Sequence, residues 1–345
     1  EPNVTIFFFF IFVVFLIRLL FNFYLNLPLH FDEAQYWDWS QNLDWGYFSK
    51  PPALAFFIRV ITEICGNGEN CIKSLSPLMH SLTSVIIFYS VYNLTKCFTK
   101  SLLGALLYLF MPGITFSSFI ISTDVPLMLF SSLTALILIK IYTLNKPNYI
   151  YFFFLSLSLA IGILSKYATF YIILCFILSS IIFKDCRNIF LKKEFAITIL
   201  ITMIFIFPNI IWNYKNEFVT FSHTASNANL NNIKINLING FVFIFSQITI
   251  FGIIPVFYLF KKYIFLKKPD ALQKIFFICF IFPILIVFIL AIFSRANANW
   301  AVVGYPFGCI LLPTLCKVKI RFFRNILLIN QILFSFTLLS LAIFL

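Results

Sequence analysis

Hydrophobic and polar positions in this chain alternate on a long scale. Apolar runs long enough to cross a membrane recur from one end to the other, with short polar breaks between them. Such runs read as helices, because a backbone in lipid must satisfy its own hydrogen bonds. Eleven spans are expected: 4–25, 72–94, 102–121, 125–142, 149–164, 168–183, 195–214, 237–260, 275–293, 300–316 and 326–345. Pro112 should kink the third. A shorter apolar segment, 53–64, reads as interfacial or re-entrant. A β-barrel would instead show alternating segments of about ten residues, which this chain lacks. The expected fold class is an all-α integral membrane protein. Residues 1–345 should form a single transmembrane domain with no soluble C-terminal domain.

Composition agrees. The chain is 61% hydrophobic and 11% charged, with a mean hydropathy of +0.99, which leaves too little polar surface for a water-soluble domain of this size. The net charge of +13 raises nucleic acid as a partner, but its distribution argues against one. Of the 25 lysines and arginines, 17 fall in every second loop, at 96–100, 140–146, 184–193, 261–274 and 317–324. Seven fall in the alternate loops, and Arg18 lies inside the first span. This is the positive-inside pattern, and the basic loops are expected on the cytoplasmic side, near anionic lipid. The loop at about 26–71 then faces outward from an inner (cytoplasmic) membrane, together with Asp32, Glu33, Asp38, Asp44, Glu63, Glu69, Asp124 and Glu217. No basic patch interleaved with aromatics marks a nucleic-acid module. Any active site is expected on the outer, periplasmic side.

That first outer loop carries the densest chemistry. Asp32-Glu33 sits where the first span leaves the membrane. The residues through Asn42 read as a short helix with Ala34, Trp37 and Gln41 on one face, floated at headgroup depth by Trp and Tyr. The pair is either a solvated interfacial carboxylate couple or a general base set at headgroup depth. Lys50-Pro51-Pro52 places a lysine before a rigid, non-helical turn; it either snorkels or holds a phosphate oxygen. Asp124, after Ser122-Thr123, either favours a helix N-terminus or faces the same cavity. Lys166 is an isolated outer cation, and His80 lies two turns into a span, where a hydrogen-bonded structural role competes with a functional one. Arg295 and Tyr305 flank the last outer loop, as belt anchors or as phosphate contacts. Cys65 and Cys71 would close a small disulfide loop in an oxidising compartment. His30, His80 and His223 are too scattered to define a zinc site. No cofactor is required by any motif, and a divalent metal is left open. There is no Walker or dinucleotide fingerprint.

In this order these residues resemble the bacterial branch of the GT-C glycosyltransferases, the protein mannosyltransferase-like family that includes the aminoarabinose transferases of lipid A. The matching pieces are Phe31–Trp37, Leu43–Pro52, Ser122–Pro126, Leu164–Ala168, Ile211–Asn213 and Asn297–Trp300, followed by Tyr305-Pro306. The resemblance implies a multispanning enzyme that takes a sugar from a polyprenyl (undecaprenyl) phosphate carrier. The acceptor would be extracytoplasmic: lipid A, another glycan or protein. It implies that Asp32, beside Glu33, is the catalytic acidic residue and that Lys50 contacts the carrier phosphate, with Arg295 and Tyr305 as further contacts. An inverting single displacement would follow, transferring a hexose or pentose. Larger members carry a soluble extracytoplasmic domain after the spans, whereas this sequence closes in a helix. The alternative is a flippase or transporter of lipid-linked sugar, with charged residues lining a translocation path.

Overall fold

The computed structural model describes residues 2–144, 147–229, 234–316, 325–333 and 336. All regular structure among them is helical. The chain is an integral membrane protein. Five described helices are long and apolar enough to cross a membrane: α1 (Pro2–Leu25, counted from Val4), α4 (Glu69–Thr95), α7 (Asp124–Thr143), α11 (Lys193–Lys215) and α15 (Ala271–Phe293). Between the first two lie α2 (Phe31–Gln41) and α3 (Ala53–Cys65). Shorter apolar helices are α5 (Phe98–Leu109), α8 (Tyr149–Ser165) and α9 (Phe170–Ile182), the last entered through a 3-10 turn at Tyr167–Thr169.

Several expected spans prove not to be single rods. The third is broken rather than kinked: α5 stops at Leu109, and α6 (Pro112–Ser117) begins at the proline. Pro112 has no N–H to donate and its ring blocks a continuous helix. Carbonyls at the ends of α5 and α6 are met from α1, whose buried stripe Phe7, Ile11, Val14, Arg18 and Asn22 repeats at helical spacing. Arg18 donates to the Leu109 carbonyl and Asn22 Nδ2 to the Ser118 carbonyl at 3.4 Å. A buried arginine thus finds its partner at the negative end of a helix. The eighth expected span is also broken, into α13 (Leu237–Phe251) and α14 (Ile253–Ile264), bent by 97°. The hinge is Gly252, at φ +108°, where a Cβ would also lie 2.7 Å from Asn330 Oδ1. The tenth begins as a 3-10 segment, Ala298–Gly304, before α16 (Tyr305–Thr314). Of the eleventh, 325–333 is helical; most of the rest lies outside the described residues, as do Lys146 and the basic loop at 317–324. Two short helices, α10 (Lys184–Phe190) and α12 (Val219–Asn227), form in loops.

His80 ties this scaffold together. It is fully buried on α4, with Nδ1 2.9 Å from the Tyr108 hydroxyl and Nε2 3.0 Å from Ser117 Oγ. Both ring nitrogens are engaged between α5 and α6, which makes it a structural pin.

Candidate active site at the loop end of the bundle

The six motif segments are far apart in sequence and meet at one end of the bundle. α2 is the first wall. Its start is set by His30, whose Nδ1 accepts from the Asp32 amide at 3.4 Å, while Glu33 Oε2 accepts from the His30 amide at 2.8 Å. The two adjacent carboxylates then diverge. Asp32 is exposed. Glu33 is 1% exposed, and its second oxygen accepts the Ile121 amide at 2.7 Å. Lys73 Nζ lies 3.6 Å from Glu33 and donates to the carbonyls of Leu27 and Pro28 at 3.0 and 2.9 Å. Glu33 therefore knots α2, the start of α4 and the segment before α7. Trp37 and Gln41, one and two turns further along α2, both point at Asn67, with Trp37 Nε1 donating at 3.1 Å. Asn67 sits in the loop closed by a Cys65–Cys71 disulfide, Cα atoms 5.8 Å apart.

The segment from Asn42 to Pro52 has no regular structure, yet it is firmly held. The Tyr47 ring stacks on Trp39 at 4.6 Å, and its hydroxyl donates to the Trp39 carbonyl at 3.1 Å. From α11, Trp212 Nε1 donates to Asp44 Oδ2 and Asn209 Nδ2 to the Trp45 carbonyl, both at 2.6 Å. From α12, Thr220 donates to the Tyr47 carbonyl at 2.7 Å. Gly46 lies against the Trp212 ring so closely that a Cβ would fall 2.3 Å from Cε3. Gly46→Ala is therefore expected to push Trp212 off Asp44 and to destabilise the fold by about 1–3 kcal/mol, the usual range for overpacking. A thermal melt in detergent checks this; a variant melting with the wild type would show that the Trp212 clamp does not hold the loop.

These braces present Lys50. Its side chain is partly buried, and among the described residues its ammonium has no hydrogen-bonding partner. Burial pushes it below the ordinary lysine value, nearby Lys166 pushes the same way, and Asp32 and Asp124 oppose. Asp32, Lys50, Asp124 and Lys166 thus share one electrostatic neighbourhood. Asp124 is buried at the start of α7; its Oδ1 takes Lys166 Nζ and its Oδ2 takes Asn299 Nδ2, each at 2.6 Å. Asn299 was not singled out in the sequence, although it lies in the Asn-Ala-Asn-Trp segment. Arg295 is exposed on the same loop. Tyr305 is not presented to an opening: it is fully buried and donates to Gln247 Oε1 at 2.6 Å, while Gln247 Nε2 donates to the Ala298 carbonyl at 2.8 Å. It supports the turn that carries Asn299. His80 stands apart in the scaffold. His223, on α12, comes beside the loop, its ring edge-on to Phe48 at 4.7 Å. Among the described residues no three His, Cys, Asp or Glu side chains converge as a metal site.

An apolar cavity of about 620 Å³ runs between α8, α9, α10 and α11. Leu159, Ile163, Phe170, Phe176 and Ile206 line it, and Arg187 stands at its far end. Its near end lies at Ile163, about one helical turn from Lys166.

Residues 49–212 match the dolichyl-phosphate-mannose-protein mannosyltransferase family. The lipid A galacturonosyltransferase RgtD of Rhizobium johnstonii is 30% identical over 292 residues, 84% of this chain and 60% of that protein. The chain is thus shown to resemble the protein mannosyltransferase-like family. ArnT from Cupriavidus metallidurans shares the fold: its apo structure superposes with a TM-score of 0.69 at 15% identity, covering 93% of this chain and 62% of ArnT. The structure of the same protein bound to undecaprenyl phosphate gives 0.67 at 15% identity, covering 92% and 61%. Over that length the architecture is therefore the fold of ArnT. The chain spans about 60% of the length of the relatives it matches.

Proposed function

We propose that this chain transfers a sugar from a polyprenyl phosphate carrier to an extracytoplasmic acceptor, with a lipid A-type glycolipid the acceptor best supported. The observation that carries the reading is Lys50: a cation held by a braced loop, without a hydrogen-bonding partner among the described residues, in one electrostatic neighbourhood with Asp32 and with Lys166, which stands about one turn beyond an end of the apolar cavity. A phosphate with a long hydrocarbon tail matches that pairing of charge and grease. The names of RgtD and of the undecaprenyl phosphate complex of ArnT agree with it.

In this reading the carrier phosphate lies on Lys50, with exposed Arg295 as a further cation, and its isoprenoid tail follows the cavity between α8 and α11. The anomeric C1–O bond breaks with its electron pair passing to the phosphate oxygen, and an acceptor oxygen bonds to C1 from the opposite face. The configuration inverts, whether the sugar is a hexose or a pentose. Lys50 stabilises the growing charge on the leaving phosphate. Asp32 takes the proton of an acceptor hydroxyl; where the acceptor is itself a phosphate, Asp32 orients it. Glu33 and Tyr305 serve by positioning, Glu33 through α2 and Tyr305 through Gln247 and the Asn299 turn. α2 lies at the interface, the site faces out from the inner membrane, and the broken spans count as crossings in the expected eleven.

Lys50→Ala is expected to lose at least about tenfold in transfer, the scale of a lost charge-assisted contact, and more than Lys166→Ala, with Arg295→Ala between them. Transfer from a lipid-linked sugar, assayed at matched protein levels, orders the three. Equal or reversed losses remove Lys50 from the phosphate site. The assay belongs in detergent, where no second compartment exists: a flippase yields no glycosylated acceptor there, and a transferase does.

A further inference from the structure

α12 touches the site with its side chains. Thr220 holds it to the Tyr47 carbonyl, and one turn later His223 meets Phe48 edge-on, ring centroids 4.7 Å apart. Phe48 is 54% exposed and precedes Lys50 by two residues. His223 is partly buried, and its Nδ1 lies 3.5 Å from Asn227 Nδ2, at the outer limit of a hydrogen bond. Lys50, from the 42–52 loop, is the charged group that acts on it, while Phe48 and Asn227 are uncharged contacts. Burial, and then Lys50, hold this imidazole below its ordinary histidine value. An imidazole and an ammonium thus stand close enough to act on one another where Phe48 joins α12 to the Lys50 loop. An anion placed there would satisfy both.

We propose that His223 is a second cation for the carrier phosphate and takes up a proton when that phosphate binds. The inference rests on the reading of Lys50 as the phosphate contact. Before the phosphate binds, a neutral imidazole spares Lys50 a like charge. When the phosphate arrives, its negative charge favours the imidazolium, which then donates a charge-assisted hydrogen bond. The device also suits the reaction. The donor is a phosphodiester with a single negative charge. Breaking its C1–O bond sends the electron pair to the phosphate, leaving a monoester with a charge of about −1.5 to −2 near neutral pH. Two cations facing that oxygen favour the leaving state more than the bound donor. Binding that raises a histidine pKa takes up protons, so affinity is greatest at low pH and falls as pH rises through the bound-state value.

The probe is a polyprenyl methyl phosphodiester, whose single charge is constant over the range used. Its dissociation constant would be measured for the full chain in detergent between about pH 5.5 and about pH 8, which spans the ordinary histidine transition. For the wild type, affinity is expected to tighten about tenfold towards the acid end, the scale of one charged hydrogen bond. His223→Gln should bind at the wild type's alkaline affinity throughout. His223→Lys, which keeps a fixed charge, should bind at the acid affinity throughout. A His223→Gln variant that retains the wild-type pH slope overturns the role of His223 and leaves the carrier reading intact. Folded wild type that fails to bind the diester at any pH, with Lys50→Ala no different, overturns the carrier reading and the inference with it.

Discussion

Asp32→Asn is expected to lower turnover by about 100-fold or more, the usual scale for a positioned acid or base, while binding of the carrier phosphate persists. The substitution keeps the shape of the side chain and removes only its charge. Asp32 is exposed, and its one contact at the start of α2 runs from its backbone amide to His30, which the change leaves in place. The fold should therefore tolerate it. Carrier binding should hold or tighten slightly, because the carboxylate repels a phosphate. Glu33→Gln should behave in the opposite way. Glu33 is buried, and its charge faces Lys73; neutralising it leaves a buried ammonium without a counter-charge, which costs stability first and turnover only through α2. A transfer assay run beside a carrier-binding measurement, on protein that stays monodisperse, separates the two. Near-normal turnover of Asp32→Asn would end the catalytic assignment. Joint loss of binding and turnover would recast Asp32 as a binding residue.

Asp32 and Glu33 also show what the sequence could and could not tell. Their adjacency, in a chain with so few charges, was enough to mark the loop. It could not tell which carboxylate turns inward, because that depends on Ile121 and Lys73, contacts made across the fold. The membrane helices were legible because apolar runs report burial in lipid. Hydropathy is blind to continuity, however, so α13 and α14 read as one span; the break rests on a positive φ at Gly252 that an apolar window cannot register. Pro112 gave warning of its break, and a glycine among apolar neighbours did not. By sequence, Tyr305 flanks the last outer loop as a belt anchor or a phosphate contact. The intervening 3-10 segment instead delivers it into the core. The scatter of the three histidines rules only on a zinc site; the neighbour that matters for His223 is Lys50, far back in the chain. Asn299 lies within the Asn-Ala-Asn-Trp segment but carries no charge to mark it. For Glu33, His223 and Asn299 the missing information was a long-range pairing; for Gly252 and Tyr305 it was the local backbone conformation.

The pairing with the largest structural consequence is Lys166 with Asp124, and substituting either is expected to destabilise the protein by about 3 kcal/mol, the cost of leaving one member of a buried ion pair alone. The pair is largely enclosed, with side chains 16% and 8% exposed, and Asn299 occupies the other carboxylate oxygen. It fastens the end of α8 and the start of α7 to the 298–304 turn, so both single variants should melt earlier. Their effects on phosphate should have opposite signs. Lys166→Met leaves the Asp124 carboxylate unbalanced in the neighbourhood of Lys50, which should weaken carrier binding. Asp124→Asn frees the Lys166 ammonium beside the same site, which should strengthen it. The double variant removes both charges together and should recover most of the stability, because well-packed neutral groups often replace a buried ion pair at little cost. Its carrier affinity should return towards the wild type. Thermal melts and carrier-binding titrations on the four proteins complete the cycle. A double variant as unstable as the weaker single one would show that the two residues act independently, and carrier affinity falling alike in both single variants would show that their charges do not set the field around Lys50.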